Sequence, residues 1–492
     1  MFTPCRPAGR HRPASAAPSR RSPQTLIRIV VEAVLLGWIA ANSTVLAQGT
    51  NEPPAEALVN PRLFGLDLPT GPLRVGGGRR VVAPNDPEPV VARVVAEVGD
   101  HFALLLPDGR IVTHPTRDVA VTERPFVPAT PEQIGERLAQ GPLARFRVRH
   151  TRHFVFVSNA SDEFTTVTAR MLETMVPGLM GFAELMKLPA GEPELPMPVI
   201  VFRTQEEYRQ FGRMPPGVIA YYNVLENYVA LCEENSLVGV RPELALQLAF
   251  STIAHEGAHQ ILGNIGVQQR LSRWPMWLSE GLAEYLAPTA PGKKLRWKGA
   301  GQINDSRMFE LENYLKSRDS DPADGQMIEH TVLAGRLTST GYASAWALVH
   351  HLAKNHRPEF QRILAETSRL GPLQGETRIE PPGICRANLV AFTKTMGADL
   401  GVIEQKLVAH LKRQPYVDPF ADLPHFAAIV TSGNGNRPRR ESNVFHTREQ
   451  AEKWSADTLG KLPDEVRGAA KALIRSFPNR ATAGAFARQA RP

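Results

Sequence analysis

Apolar and polar positions divide the chain into a strand-rich first part and a helix-rich second part. Between residues 89 and 124, short apolar runs alternate with turns such as the Asp108-Gly109 pair, a pattern typical of β-hairpins. Residues 89–130 are therefore predicted to form a small all-β module. The preceding stretch, residues 48–88, is rich in Pro and Gly and predicts a linker.

From residue 145 onward, strand and helix patterns follow each other without regular alternation. Longer periodic segments predict helices over about residues 162–186 and 242–260, with Ser161 or Asp162 as the cap of the first helix. This order of elements predicts an α+β domain over residues 145–415 and a polar, partly helical tail over residues 416–492. The short apolar runs that predict strands cover residues 146–148, 154–157, 198–202, 220–222 and 228–231.

The N-terminus has the pattern of an export signal. A basic lead precedes an apolar run at residues 33–41, and the small or neutral residues at 45–47 suit cleavage by a signal peptidase. The apolar run is short for a membrane span. We therefore predict a signal peptide over residues 1–47 and an extracytoplasmic protein that is secreted, periplasmic or envelope-associated. An uncleaved signal would anchor the chain in a membrane through residues 26–47.

The net charge of +8 is concentrated in this leader and does not predict a nucleic-acid partner. Residues 1–47 carry a net charge of +5, which leaves +3 for the rest of the chain and no obvious basic footprint. Cleavage of the signal would also remove Cys5. Only Cys232 and Cys385 would then remain, and the sequence leaves open whether these two form a disulfide.

The predicted helix over residues 242–260 contains a His-Glu-x-x-His motif, formed by His255, Glu256 and His259. Positions i and i+4 share one face of a helix, so both imidazoles can reach one metal ion while Glu256 faces a metal-activated water. The motif alone also fits two ordinary core or surface histidines. Gly257 weakens this helix by about 1 kcal/mol relative to Ala and would allow another element to pack closely.

Two glutamates about twenty residues downstream extend the motif. A catalytic zinc has three protein ligands and one open position, and two His with one Glu is a known set, which Glu280 would complete. One turn later, Glu284 can accept the free N–H of a ligating His. Flanking Trp, Leu, Ala and Tyr residues predict a buried helix, where carboxylates need a partner. The residues therefore predict one zinc ion per chain, bound by His255, His259 and Glu280, with Glu256 as general base.

The motif and the segment at residues 277–285, Trp-Leu-Ser-Glu-Gly-Leu-Ala-Glu-Tyr, resemble the gluzincin clan of zinc metallopeptidases, which includes thermolysin and the zinc aminopeptidases. The wider run at residues 146–411 resembles the poorly characterised peptidase-MA-like branch of that clan. The resemblance implies a mixed or antiparallel sheet with a helical subdomain, and hydrolysis of peptide or protein substrates. It implies that Glu280 is the third zinc ligand. It also implies that Glu284 is a carboxylate partner behind the zinc ligands, and that Tyr342 stabilises the oxyanion of the tetrahedral intermediate.

The predicted hairpin at residues 220–231 is where clan members lay out an extended peptide. Tyr222 and Glu226 are therefore candidate substrate-binding residues. Glu226 is included because its segment resembles the Gly-x-Met-Glu-Asn segment that binds a free N-terminus in aminopeptidases. Asn223 and Leu225 depart from that segment, and a polar turn is the alternative interpretation.

Two other functions fit the same residues. A catalytically silent zinc-site domain would act as an envelope binding protein and use the β module for recognition. An envelope scaffold would use the helical half for association and hold a structural zinc. The presence of Glu256 favours an enzyme, and the lack of a fourth ligand near either segment counts against a structural zinc.

Overall fold

The computed structural model describes residues 58–83, 89–215, 218–234, 242–290, 296–318, 324–375, 378–381, 383–433 and 439–489. The signal peptide and the possible anchor at residues 26–47 are predictions that lie outside these ranges. Within them, no helix combines the length and the apolar character that crossing a membrane requires.

The first sheet has seven strands, all paired antiparallel, in the order β1-β2-β4-β3-β7, with β5 and β6 continuing from β4. Strand β4 forms because its apolar residues alternate between buried and partly exposed positions. Three of the strands come from residues 58–83, which corrects the predicted linker: short strands between Pro and Gly turns were taken for unstructured chain. The strands are β1 (Leu58–Val59), β2 (Gly71–Val75), β3 (Arg80–Val82), β4 (Val91–Val98), β5 (His101–Leu105), β6 (Ile111–Pro115) and β7 (Ala120–Val121).

The second sheet has the order β11-β12-β10-β9-β8 and mixes parallel and antiparallel pairs. Its central strands β9 and β10 are buried on both faces, because helices cover each side. The antiparallel pair β11–β12 is the predicted hairpin, and β11 ends the sheet on that side. The strands are β8 (Arg147–His150), β9 (Phe154–Ser158), β10 (Met197–Phe202), β11 (Ala220–Asn223) and β12 (Tyr228–Cys232), and a separate small ribbon pairs β13 (Thr289–Ala290) with β14 (Arg296–Trp297).

Helices α1 and α3 cover one face of the second sheet, and α2 and α4 cover the other. The side chain of Ser161 caps α2 as predicted, by accepting a hydrogen bond from the backbone N–H of Phe164. Helix α8 is almost wholly buried among its neighbours in the helical half. The helices of this region are α1 (Pro131–Leu138), α2 (Asp162–Leu185), α3 (Gln205–Gly212), α4 (Pro242–Asn264), α5 (Met276–Leu286), α6 (Asp305–Ser317), α7 (Gln326–Leu333), α8 (Ser339–Asn355), α9 (Arg357–Ser368), α10 (Arg386–Met396) and α11 (Leu400–Leu411).

The C-terminal residues form a folded unit, which corrects the predicted polar tail. Three antiparallel strands in the order β16-β15-β17 carry helices packed against them. Only the central strand β15 is buried along nearly its whole length, whereas the outer strands expose charged side chains, so their sequences look like loops. The elements are β15 (His425–Ser432), β16 (Arg439–Phe445), α12 (Arg448–Gly460), α13 (Asp464–Arg467), β17 (Lys471–Phe477) and α14 (Arg480–Gln489).

These layers agree with the α+β class predicted from the sequence. The first sheet is not a separate body: Phe64, Leu66 and Leu68 share a buried cluster with Leu271 and Leu373 of the helical half. Cys232 and Cys385 are both buried, and they do not form the disulfide that the sequence left open.

Candidate metal centre

Helix α4 carries His255 and His259 on one face, and a tight contact with α2 holds it in place. The contact is possible because position 257 is Gly: a β-carbon there would stand 2.4 Å from Cδ2 of Leu172. The glycine that weakens α4 therefore lets α2 pack directly against the segment that carries the two histidines.

Helix α5 brings Glu280 to these histidines, and its position depends on an equally close contact with α8. A β-carbon on Gly281 would stand 2.6 Å from the carbonyl oxygen of Ala345. The backbones of α5 and α8 therefore touch at the residue next to Glu280. This crossing also sets the distance between Glu280 and Tyr342, which lies on the first turn of α8.

Three ligand atoms converge at one point. Nε2 of His255 lies 3.1 Å from Oε2 of Glu280, Nε2 of His259 lies 3.2 Å from Nε2 of His255, and Nε2 of His259 lies 3.5 Å from Oε2 of Glu280. Ligands about 2.05 Å from a tetrahedral zinc would be about 3.3 Å apart. The spacing and the two-nitrogen, one-carboxylate set therefore fit zinc.

Glu284 holds His255 from the other side of the ring. Its Oε1 lies 3.2 Å from Nδ1 of His255, within ion-pair distance. The same carboxylate accepts hydrogen bonds from Arg307 at 2.5 Å and from Asn304 at 2.9 Å. Burial opposes ionisation of Glu284, but Arg307 and His255 outweigh it and lower the pKa of Glu284 to about 2.

The buried charge chain continues beyond Glu284. Arg307 also donates to Glu310 at 2.8 Å, and Glu310 accepts a hydrogen bond of 2.6 Å from the hydroxyl of Ser339. Burial raises the pKa of Glu310, against the effect of Arg307. The chain joins α5 to the first turn of α8 through α6, so it fixes the helices that carry Glu280 and Tyr342.

Glu256, the candidate base, is held by the edge of the second sheet. Its Oε2 accepts a hydrogen bond of 2.9 Å from the backbone N–H of Tyr222 in β11. Burial raises the pKa of Glu256, while His255 and His259 act in the opposite direction. The contact places the base between the converging ligand atoms and the last strand of the sheet.

Tyr342 faces the same space. Its ring centroid lies 6.1 Å from that of His255, and the guanidinium of Arg307 lies 5.3 Å from the Tyr342 ring centroid. The negative charge of Glu280, followed by burial, raises the pKa of Tyr342. The phenol therefore keeps its proton at neutral pH and is available as a hydrogen-bond donor.

Glu226 is not among the residues that the structure brings to this point. It lies in the turn between β11 and β12, and its charge interacts with Arg137 and Arg270. The hydroxyl of Tyr222 donates to Asn227 at 2.9 Å and thus stabilises this turn. Of the two candidate substrate-binding residues, Tyr222 reaches the candidate base through its backbone N–H, whereas Glu226 interacts with arginines in the turn region instead.

Sequence reasoning missed Arg307, Asn304 and Glu310. Asn304 is visible in the sequence as the cap of α6, and its side chain accepts from the backbone N–H of Arg307. Nothing in the local sequence shows that its amide also reaches Glu284. Arg307 and Glu310 are three apart on a helix, which usually marks a solvated ion pair.

Residues 249–374 match a family described as a protein of unknown function, DUF1570. A search of the curated proteins found no match to the chain. The matched segment contains the three candidate ligands, Glu256, Glu284 and Tyr342, and covers about a quarter of the chain.

Proposed function

We propose that the chain is an exported zinc peptidase of the gluzincin type that hydrolyses peptide bonds in peptides or proteins. The observation that carries the proposal is the convergence of His255 Nε2, His259 Nε2 and Glu280 Oε2 beside a fourth group, Glu256. A zinc ion with three protein ligands leaves a position for water, and two His with one Glu is a set used in catalysis. When bound, zinc would lower the pKa of a water and polarise a carbonyl.

The residues of the chain divide the work of hydrolysis among them. Oε1 or Oε2 of Glu256 takes the proton of the attacking water and later passes it to the leaving amine. The protonated hydroxyl of Tyr342 donates a hydrogen bond to the oxygen on which negative charge develops. Glu284 keeps His255 oriented with Nε2 toward the metal.

The edge strand β11 favours an extended peptide as substrate. It is the last strand of the second sheet on that side among the described residues, and its Tyr222 contacts the base. A peptide added beside β11 would bring its backbone past Glu256. The charge of Glu226 interacts with Arg137 and Arg270, which favours a turn rather than an anchor for a free amine.

Metal content and peptide cleavage test the proposal together. We expect Glu280→Gln to lose about one equivalent of zinc relative to the full wild-type chain, because one ligand is lost. Glu256→Gln should keep that zinc and lose roughly 100-fold or more in cleavage rate of a fluorogenic peptide library. Glu184→Gln, at an exposed position of α2, is the matched control and should change neither.

The outcomes separate the functions that fit the site. Zinc bound through Glu280 with cleavage abolished by chelator and by Glu256→Gln would support the peptidase. Zinc without cleavage of any peptide in the library would favour the catalytically silent binding domain. Equal zinc content in the wild type and in Glu280→Gln would overturn the metal centre. Export is tested separately, by sequencing the N-terminus of the mature protein recovered outside the cytoplasm.

A further inference from the structure

A second group of possible metal ligands lies in the C-terminal unit. Asp418, in the segment before β15, His425, the first residue of β15, and His446, just after β16, offer ligand atoms within 4.8 Å of one another. All three residues are at least nine-tenths buried. Buried titratable groups in such proximity need a hydrogen-bonding or metal partner for each polar atom.

The ring of His425 has a fixed tautomer. Its Nδ1 lies 2.6 Å from the carbonyl oxygen of Leu423, and a carbonyl only accepts, so Nδ1 carries the proton. In the neutral ring Nε2 is then a bare lone pair. This atom is buried and has no hydrogen-bond partner among the described residues. A backbone carbonyl on one ring nitrogen is the usual partner of a His that binds metal through the other.

The distances from Asp418 to the two histidines are close to those around a tetrahedral ion. Oδ2 of Asp418 lies 3.6 Å from Nε2 of His425 and 3.5 Å from Nε2 of His446. Two ligands about 2.05 Å from a tetrahedral zinc are about 3.3 Å apart. The first centre has ligand spacings of 3.1 to 3.5 Å, so these two distances are close to them, and both groups offer two imidazoles and one carboxylate.

The carboxylate of Asp418 is held in place from two sides. Its Oδ1 accepts from the backbone N–H of Phe420 at 2.8 Å, and its Oδ2 accepts from Arg480 at 2.7 Å. Arg480 also binds Glu312 at 2.6 and 3.0 Å, and Glu312 binds Lys316 at 2.9 Å. The two carboxylates therefore balance the two cations, and Arg480 orients Asp418.

Helix α6 lines one side of the group. The ring of His446 packs edge-on against Phe309 of α6 with centroids 4.4 Å apart, and Phe309 packs against Phe420 at 4.4 Å. Lys316 of the same helix donates to the carbonyl of Val444 at 2.9 Å. An ion bound here would sit in a buried seam between the C-terminal sheet and α6.

We propose that Asp418, His425 and His446 bind a second divalent transition metal, of the zinc class, within the C-terminal unit and beside α6. Imidazole nitrogen with one carboxylate oxygen is a ligand set that zinc accepts, with a water or other small ligand in the fourth position. The three side chains are more buried than those of the first centre, at 1–5% against 10–17% exposed. The proposal does not depend on peptidase activity at the first centre.

Metal analysis of the full chain tests this site apart from the first. In the background His259→Ala/Glu280→Gln, which disables the first centre, we expect about one equivalent of zinc or cobalt(II) to remain. Adding His446→Gln should remove that equivalent and its tetrahedral cobalt absorption. His330→Gln, an exposed histidine on α7, is the matched control and should leave the metal bound.

A folded background variant that holds no metal after incubation with zinc would overturn the proposal, as would metal that persists in the His446→Gln variant. If circular dichroism shows that the background variant does not fold, His425→Gln and His446→Gln are made in the wild-type chain instead. Each should remove one equivalent of bound metal, and metal content unchanged by both would overturn the proposal. Metal lost on His446→Gln but unchanged by Glu280→Gln would sustain this site and overturn the first centre instead.

Discussion

Gly281 and Ala345 meet backbone to backbone: the nearest atom to a β-carbon at Gly281 would be the carbonyl oxygen of Ala345, 2.6 Å away. A backbone oxygen cannot rotate away as the end of a side chain can. The contact therefore fixes the separation of α5 and α8, and with it the positions of Glu280 and Tyr342 around the candidate metal centre.

Gly281→Ala should force these helices apart. We expect the free energy of unfolding to fall by about 1–3 kcal/mol, the usual cost of overpacking, and the zinc bound through Glu280 to weaken. Urea unfolding and metal content of the purified variant measure both effects. The control is Gly181→Ala on α2, where a β-carbon meets nothing within 4 Å and helix propensity alone should add about 0.5–1 kcal/mol. Equal stability of the two variants would contradict the backbone contact.

Arg307→Met tests the buried charge chain. Arg307 is 7% exposed and bridges Glu284 and Glu310, so its loss leaves two buried carboxylates without a counter-charge. We expect a loss of about 3–5 kcal/mol in the free energy of unfolding. The comparison is Arg362→Met, which removes an exposed i,i+3 pair with Glu359 and should cost about 0–1 kcal/mol. A loss at Arg307 no larger than that at Arg362 would rule out a structural role for the chain.

The packing of α2 on α4 predicts coupling between Gly257 and Leu172. Alanine at position 257 gains about 1 kcal/mol in helix propensity, but its β-carbon would stand 2.4 Å from Cδ2 of Leu172. Gly257→Ala should therefore destabilise the wild type and be neutral or stabilising in the Leu172→Ala background. Unfolding free energies of the four proteins in this double-mutant cycle measure the coupling, which we expect to be about 1 kcal/mol or more. If the changes in unfolding free energy are additive, the Leu172 side chain can move away from a β-carbon at position 257 without loss of stability.

His350 makes the helical half sensitive to acid. Burial, followed by the neighbouring His410 with its Nε2 3.1 Å from Nδ1 of His350, lowers the pKa of His350 from 6.5 to about 4. The unfolded chain therefore takes up a proton before the folded chain does. The stability that neutral His350 contributes is complete above about pH 6.5 and is lost as the pH falls toward about 4, by roughly 3 kcal/mol.

Urea unfolding at about pH 7 and about pH 4.5 measures this dependence. His350→Gln removes the titrating group, so its free energy of unfolding should change less between the two pH values than that of the wild type. His330→Gln, at an exposed position, should keep the wild-type dependence. Parallel pH profiles for wild type and His350→Gln would show that other groups cause the acid sensitivity.

The sequence revealed those parts of the site whose geometry is local. His255 and His259 share a helix face at fixed spacing, and Glu280 and Glu284 do the same, so each pair could be assigned before its helices were seen to meet. Arg307 could not be found in this way. Its partner Glu284 lies 23 residues away on another helix, and only tertiary packing shows that both charges are buried together.

The fold shows the same division. Strands such as β9 and β10 are apolar on both faces and were predictable, as was the long helix capped by Ser161. The strands β16 and β17 were missed because edge strands carry exposed charges, Arg439 and Lys471 among them, and need only one partner strand to form. The second ligand group was missed with them, since Asp418, His425 and His446 have no motif spacing and meet only once this sheet folds.

The cluster that Phe64, Leu66 and Leu68 share with Leu271 and Leu373 determines how the protein can be divided for experiment. A fragment that begins at residue 131 would leave Leu271 and Leu373 facing water, and the carbonyl of Leu225 would lose the hydrogen bond of 2.7 Å from the N–H of Ile111. Such a fragment would aggregate, because it would expose an apolar patch that the intact chain buries. The smallest soluble unit that carries the zinc motif therefore begins before residue 58, although the matched family segment begins at residue 249.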